Sequence, residues 1–236
     1  MDTCNQLGGR LIQPQPKWII IGGCCLAFLG AAVNACYLIK LGTSVSHLTG
    51  DVSKVAMNAA ESHHHISAAA FNLISAALGF VLGAATAGFF IHHPSIEFSR
   101  PYGRAVTAIG LLLVGAQFSF ESQPALSIGL ASIACGFQNA LATHYRGMVL
   151  RTTHITGLLT DLGTNLGMKL KGHQIAFWKL LVPMCLVLSF FAGAFCGSFA
   201  VMILHLPVLL YLAGIYILGG IGWSIYKHLI SPNLSR

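Results

Sequence analysis

The sequence predicts an all-α polytopic membrane protein, with about six transmembrane helices in two inverted three-helix repeats. Three observations predict it: long apolar runs almost without charge, basic residues gathered on one side of those runs, and a duplicated His-x-Thr-Gly motif. Of 236 residues, 55% are hydrophobic and 8% charged, and the mean hydropathy is +0.74. A soluble domain carries roughly 25% charged residues, so this surface cannot be coated for water and must face a lipid bilayer. Residues 1–236 therefore read as a single membrane domain.

Each span follows from length. A run of about 20 apolar residues crosses the hydrocarbon core as a helix, and such runs occupy residues 18–41, 67–92, 104–121, 124–143, 175–204 and 207–230. Prolines punctuate them: Pro94 and Pro101 in the second loop, Pro124 between the third and fourth runs, and Pro207 between the fifth and sixth. The first run offers a small-residue stretch at Val33, Asn34 and Ala35 that resembles a signal-peptidase site. It is nevertheless far longer than the roughly 7 to 15 residues of a signal-peptide core and reads as a retained span.

Orientation follows from charge. With the N-terminus inside, all thirteen Lys and Arg except Lys40 and Lys54 fall in or beside cytoplasmic segments, as the positive-inside bias requires. Residues 1–17 become a cytoplasmic tail, and an even number of crossings returns the C-terminus to the same side. The net charge of +7 does not point to nucleic acid, because no basic stripe with interleaved aromatics occurs. Of seven cysteines, Cys4 lies in the tail and the rest within apolar runs, with no CxxC pair, so neither a disulfide framework nor a zinc site is expected.

The duplication is the most informative feature. Asn34-Ala35 is followed by Gly42 and then His47-Leu48-Thr49-Gly50; Asn139-Ala140 is followed by Gly147 and then His154-Ile155-Thr156-Gly157. After each motif come a mildly amphipathic stretch, residues 51–62 and 158–171, and a span carrying a GxxxG, Gly79 with Gly83 and Gly193 with Gly197. The repeats are residues 18–121 and 124–230. Three spans per half is an odd number, so the second half enters the membrane from the opposite side, as in many transporters. The GxxxG pairs read as packing seams, since small residues let helices approach closely.

Chemistry concentrates at the motif. Gly50 and Gly157 interrupt helical continuity beside Thr49 and Thr156, either of which can cap a new short helix whose exposed N–H groups attract anions or carbonyl oxygens. One reading makes these broken or re-entrant segments at membrane depth, where irregular backbone is tolerated only inside protein or along a cavity. The other makes them capped loops at the membrane surface. Asn34 and Asn139, with Gln138 beside the latter, either line the same cavity or fasten neighbouring helices. Asp51 follows the first glycine directly, and Asp161 follows the second by four residues, just after Thr160. Acids at membrane depth cost roughly 2.5 to 3.5 kcal/mol on insertion scales and are usually functional, carrying protons or binding a cation.

The stretch HLTGD in the first half and GFQNALATHYRGMVLRTTHITGLLTDLG in the second resemble the YoaK-like family of bacterial inner-membrane proteins. That family pattern has an H-x-TGN-like segment early and an R-TT-x-x-TG-x-LT segment later. Arg151, Thr152, Thr153, Thr156, Gly157, Leu159 and Thr160 match the later segment; Asp51 stands where Asn is usual in the earlier one. The resemblance implies a multi-spanning protein of the bacterial inner membrane, of unknown activity and related to transport, and it assigns no catalytic or ligand residue.

Eleven histidines invite a metal reading, but His63, His64 and His65 are consecutive and point about 100° apart on a helix. They read as a solvated face rather than a metal site. His92, His93, His144, His173, His205 and His228 lie at span ends, whereas His47 and His154 occupy equivalent repeat positions. With no HExxH, no GxSxG and no usefully spaced carboxylate pair, an enzyme is not expected; neither is a cofactor. The remaining expectations are a secondary transporter or channel for an unidentified small solute or ion, its site between the repeats, and a structural or assembly protein without transport. Exposed GxxxG seams would permit a homodimer.

Overall fold

The computed structural model describes residues 16–61, 68–90, 101–141 and 152–230. Among them the chain forms helices and no strand: α1 Pro16–Leu41, α2 Leu48–Glu61, α3 Ala68–Phe90, α4 Tyr102–Ser119, α5 Pro124–Leu141, α6 Ile155–Leu170, α7 Trp178–Met202 and α8 Val208–Ile230. Each of the six apolar runs contains one helix among its described residues, and the two amphipathic stretches largely coincide with α2 and α6. The tail as far as residue 15, the His63 to His65 run, His92, His93, Pro94, His144, Arg146, Gly147 and Arg151 lie outside the described residues.

Among the described residues five helices, α1, α3, α5, α7 and α8, are long and apolar enough to cross a membrane. The 18-residue α4 is long enough, but Arg104, Thr107 and Gln117 dilute its apolar run. Helix α3 leaves Phe71, Leu78 and Val81 exposed at 60%, 67% and 66%. A contiguous apolar face of that kind is not sustained in water, and the chain is a multi-pass integral membrane protein. Its polar atoms turn inward instead: Asn34, Ser127, Gln138 and Asn139 are buried.

Local chemistry sets the helix ends. Leu41 is the last residue of α1 because Gly42 adopts φ +66 and its N–H closes on the Leu38 carbonyl at 3.1 Å, a left-handed stop suited to glycine. At the end of α6, Gly172 has φ +97, and the N–H groups of Gly172 and His173 reach Lys169 and Met168 in the paired pattern of a Schellman cap. Pro124 opens α5, where its missing N–H would have had no helical partner.

Close glycine contacts set the register between helices. A Cβ on Gly193 would collide with the Phe28 carbonyl and one on Gly197 with Ala32, so α7 runs parallel to α1. Gly79 sits against Gly129 and Gly83 against Ile133, so α3 runs parallel to α5. Gly103 meets Gly220 and Ser224, while Gly110 meets Ala213 and Ile217, so α4 and α8 are antiparallel. Helices α1 and α5 are also antiparallel: Gln138 reaches the Leu26 carbonyl and Tyr37 reaches Ser127. Helix α2 packs on α3 and α6 on α7. Exchanging α1 to α4 with α5 to α8 in order leaves this set of pairings unchanged. The exchange extends to single residues: Phe28 and Ile133, which seat Gly193 and Gly83, each lie six positions before an asparagine (34−28 and 139−133).

Candidate functional site

Two buried asparagines bend the chain back. Asn34, on α1, turns its Oδ1 to the segment after Gly42, accepting from Ser44 Oγ at 2.7 Å, Val45 N at 3.1 Å, Ser46 N at 3.3 Å and Ser46 Oγ at 3.2 Å. Asn34 lies seven residues before the end of its helix (41−34), so these bonds hold the loop alongside the helix rather than beyond it, roughly 10 Å down at 1.5 Å per residue. Asp51 braces the same loop, accepting from Ser44 N at 2.6 Å and pairing with Lys54 at 3.1 Å. Lys54 Nζ also donates to the Gly42 carbonyl at 3.2 Å.

The second half repeats the device. Asn139 Oδ1 accepts from Thr153 N at 3.2 Å and Thr152 Oγ1 at 3.4 Å, and its Nδ2 donates to Thr153 Oγ1 at 2.8 Å. In each half, then, the asparagine binds the N–H of the residue just before the motif histidine, Ser46 or Thr153. Neighbouring Gln138 donates to Thr152 Oγ1 at 3.0 Å and to the Leu26 carbonyl at 2.9 Å, and accepts from Tyr216. Gly30, in the middle of α1, makes room for this group: a Cβ there would lie 2.8 Å from Gln138 Nε2 and 3.1 Å from Thr153 Cγ2. The second motif loop therefore lies against the midpoint of a spanning helix.

The two loops meet at His47. Its Nδ1 bonds Ser46 Oγ at 2.9 Å, its backbone N–H donates to Ser44 Oγ at 2.7 Å, and its ring packs edge-on against Phe190 of α7 with centroids 5.1 Å apart. Its Nε2 is buried and meets no group of good hydrogen-bond geometry among the described residues, although the Thr153 backbone carbonyl lies near enough to the ring to act as an acceptor. The imidazole lies in the loop between α1 and α2, outside the spanning helices, and burial pushes its pKa below the usual histidine value. The Thr153 carbonyl opposes that shift and nearby His154 adds to it. A neutral imidazole from the first motif thus stands beside the backbone of the second, at the starting turns of α2 and α6.

The expected capping differs. Helix α2 begins at Leu48 and α6 at Ile155, so Thr49 and Thr156 sit inside the first turns rather than at the caps. The break is made upstream, where the asparagines engage the loop backbone, and the helix starts directly after each histidine. His154 is the N-cap residue of α6 without a side-chain cap bond, and its ring lies over Gly157, where a Cβ would strike Nδ1. Of the expected site residues, Asn34, His47, Asp51, Gln138, Asn139, His154 and Gly157 belong to this assembly. His154, though part of it, is exposed, as are Thr49, Gly50, Thr156, Thr160 and Asp161 on α2 and α6; Thr160 Oγ1 donates to the Thr156 carbonyl at 2.9 Å.

Sequence reasoning passed over Gly30, Ser44, Ser46, Phe190 and Tyr216, and named Thr152 and Thr153 only within the family pattern, without a role at the site. Extending the repeat two residues upstream of the histidines, Val45-Ser46 against Thr152-Thr153, would have found the loop hydroxyls.

A match to a family of proteins of unknown function, DUF1275, covers residues 22–222, from α1 into α8. The chain belongs to the DUF1275 family. No curated protein and no solved structure matches it. The match takes in both asparagines, both motif histidines and every helix that packs around them in this DUF1275 protein.

Proposed function

We propose that this DUF1275 protein is a secondary transporter or channel for a small solute, with its site where the two His-x-Thr-Gly loops meet. It has six spans as two inverted three-helix repeats, both termini lie in the cytoplasm, and the protein is a YoaK-like component of the bacterial inner membrane. No catalytic step is assigned to it. The pairings that survive exchange of the two halves support the repeat, and the parallel and antiparallel registers support alternating crossings by α1, α3, α4, α5, α7 and α8. Helices α2 and α6 are then re-entrant elements whose starts lie inside the bilayer.

The observation that carries the reading is the buried Nε2 of His47, which among the described residues has no partner of good hydrogen-bond geometry and stands beside the Thr153 backbone and His154. A buried polar atom without a partner loses free energy unless something binds it. Irregular backbone at this depth belongs along a cavity or inside protein, and Asn34, Asn139 and Gln138 complete a polar centre in an apolar bundle. Interfaces between inverted repeats are where such carriers hold their solutes.

A second reading has its own support. The Asn34 and Asn139 carboxamides are occupied by loop backbone, which is what a purely structural fastening requires. Stopped-flow light scattering on proteoliposomes separates the two, with urea, glycerol and sodium nitrate as probes. The transport reading expects flux of at least one probe above protein-free liposomes, reduced several-fold in His47→Ala and His154→Ala. Flux equal to the liposome background for all three, or unchanged in both variants, favours the structural protein.

A further inference from the structure

Away from the loops, α4 and α8 enclose a cleft of about 380 Å³, lined on one side by Arg104, Thr107, Ala108 and Leu111 and on the other by Ile221, Ser224, Ile225 and His228. Its shape follows from the glycine contacts. Gly103 against Gly220 and Ser224 draws the two helices together, but α4 starts at Tyr102 while α8 continues to Ile230. The last turns of α8 therefore extend past the start of α4, and Arg104 stands at the corner. Because the helices are antiparallel, Arg104 and His228 mark one end of the cleft and Leu111 the other.

The chemistry is graded along that axis. The mouth is cationic: Lys227, next to His228, is close enough to Arg104 to feel its charge, and among the described residues no acidic one lines the cleft. The hydroxyls of Thr107 and Ser224 donate to their own helices, at the carbonyls of Gly103 and Gly220, both at 3.0 Å. They leave only acceptor lone pairs toward the cleft, so the guanidinium supplies the donors. Ile221 and Ile225 line the cleft beside Arg104 and His228, and Leu111 lines its deep end; the three are exposed at 45%, 55% and 59%. An arginine fork suits phosphate oxygens, and basic pockets between spanning helices suit acidic head groups. An apolar floor suits an acyl chain.

We propose that this cleft is a binding site for one anionic phospholipid, its phosphate held by Arg104 and His228 and its acyl chain running past Ile221 to Leu111. The proposal rests on the six-span reading, which places α4 and α8 side by side in the bilayer with the cationic mouth at the cytoplasmic leaflet. It does not depend on transport.

The test is native mass spectrometry of the full chain in detergent with added phosphatidylglycerol, against phosphatidylcholine of the same chains and against inorganic phosphate. Phosphatidylglycerol should remain bound preferentially. Arg104→Gln should weaken it by about fivefold, the worth of one basic residue at a membrane surface, and inorganic phosphate should not displace it. Leu111→Trp, which fills the deep apolar end from an exposed position, should also reduce it and serves as the second variant if Arg104→Gln does not fold. Equal retention of the two lipids, undiminished retention in both variants, or displacement by inorganic phosphate overturns the proposal. None of these results bears on flux, so failure here and failure of the transport reading remain distinguishable.

Discussion

Tyr216 of α8 donates its hydroxyl hydrogen to Gln138 Oε1 of α5, and the same amide donates through Nε2 to the Leu26 carbonyl of α1. One side chain, 1% exposed, thereby joins three helices at the level of the second motif loop. Tyr216→Phe leaves Gln138 Oε1 short of a partner in a buried site and should destabilise the protein by about 1 to 3 kcal/mol. Gln138→Leu should be at least as damaging, because Tyr216, Thr152 and Leu26 all lose a partner. Thermal unfolding in detergent of the two single variants and the double variant checks this. The double variant should lose less than the sum, since the same bond is removed once.

The glycine seams separate into those that carry a helix contact and those that do not. Gly193 and Gly83 rest on the carbonyls of Phe28 and Ile133, backbone atoms that cannot rotate away, whereas Gly214 and Gly219 have open space where a Cβ would be. Gly193→Ala and Gly83→Ala should each destabilise by about 1 to 3 kcal/mol through overpacking. Gly214→Ala and Gly219→Ala should be neutral or slightly stabilising, since alanine is the better helix former. Unfolding midpoints for the four variants test the contrast, and similar losses at all four would contradict it.

Acid should weaken the fold through His47. Burial holds its folded pKa below the ordinary value, so between the folded pKa and about 6.5 the unfolded chain takes up a proton that the folded chain refuses. The favourable contribution is present above about pH 6.5 and is lost as pH falls below it. The drop in Tm between pH 7.5 and pH 5.5 should be smaller in His47→Gln than in the wild-type protein. Equal drops would remove His47 from the acid response.

The helices were legible because lipid demands length and apolarity, and the amphipathic stretches 51–62 and 158–171 marked α2 and α6. Which helices pack together was not legible. In α3 and α7 the lipid face and the packed face are equally apolar, so periodicity could not tell that α1 pairs with α7 and α3 with α5. At the site, Asn34, His47, Gln138, Asn139 and His154 emerged from the repeat because amides and imidazoles stand out in apolar runs. Ser44 and Ser46 did not, and Thr152 and Thr153 stood only in the family pattern without a role, because short hydroxyl side chains near helix ends are common and their partners here lie one turn or more back along the preceding helix. Gly30 and Tyr216 could be found only once the helices were placed, since each matters through a neighbour distant in sequence.

The central claim is that the two His-x-Thr-Gly loops meet inside the molecule, and cross-linking tests it most directly. His47→Cys and His154→Cys are combined in a chain whose native cysteines are replaced by serine, treated in membranes with a short bis-methanethiosulfonate, and read by mass spectrometry of the digested peptides. The account predicts an intramolecular link between positions 47 and 154, present at protein dilutions that exclude links between copies. Labelling of both cysteines without a link would place the loops apart and contradict it.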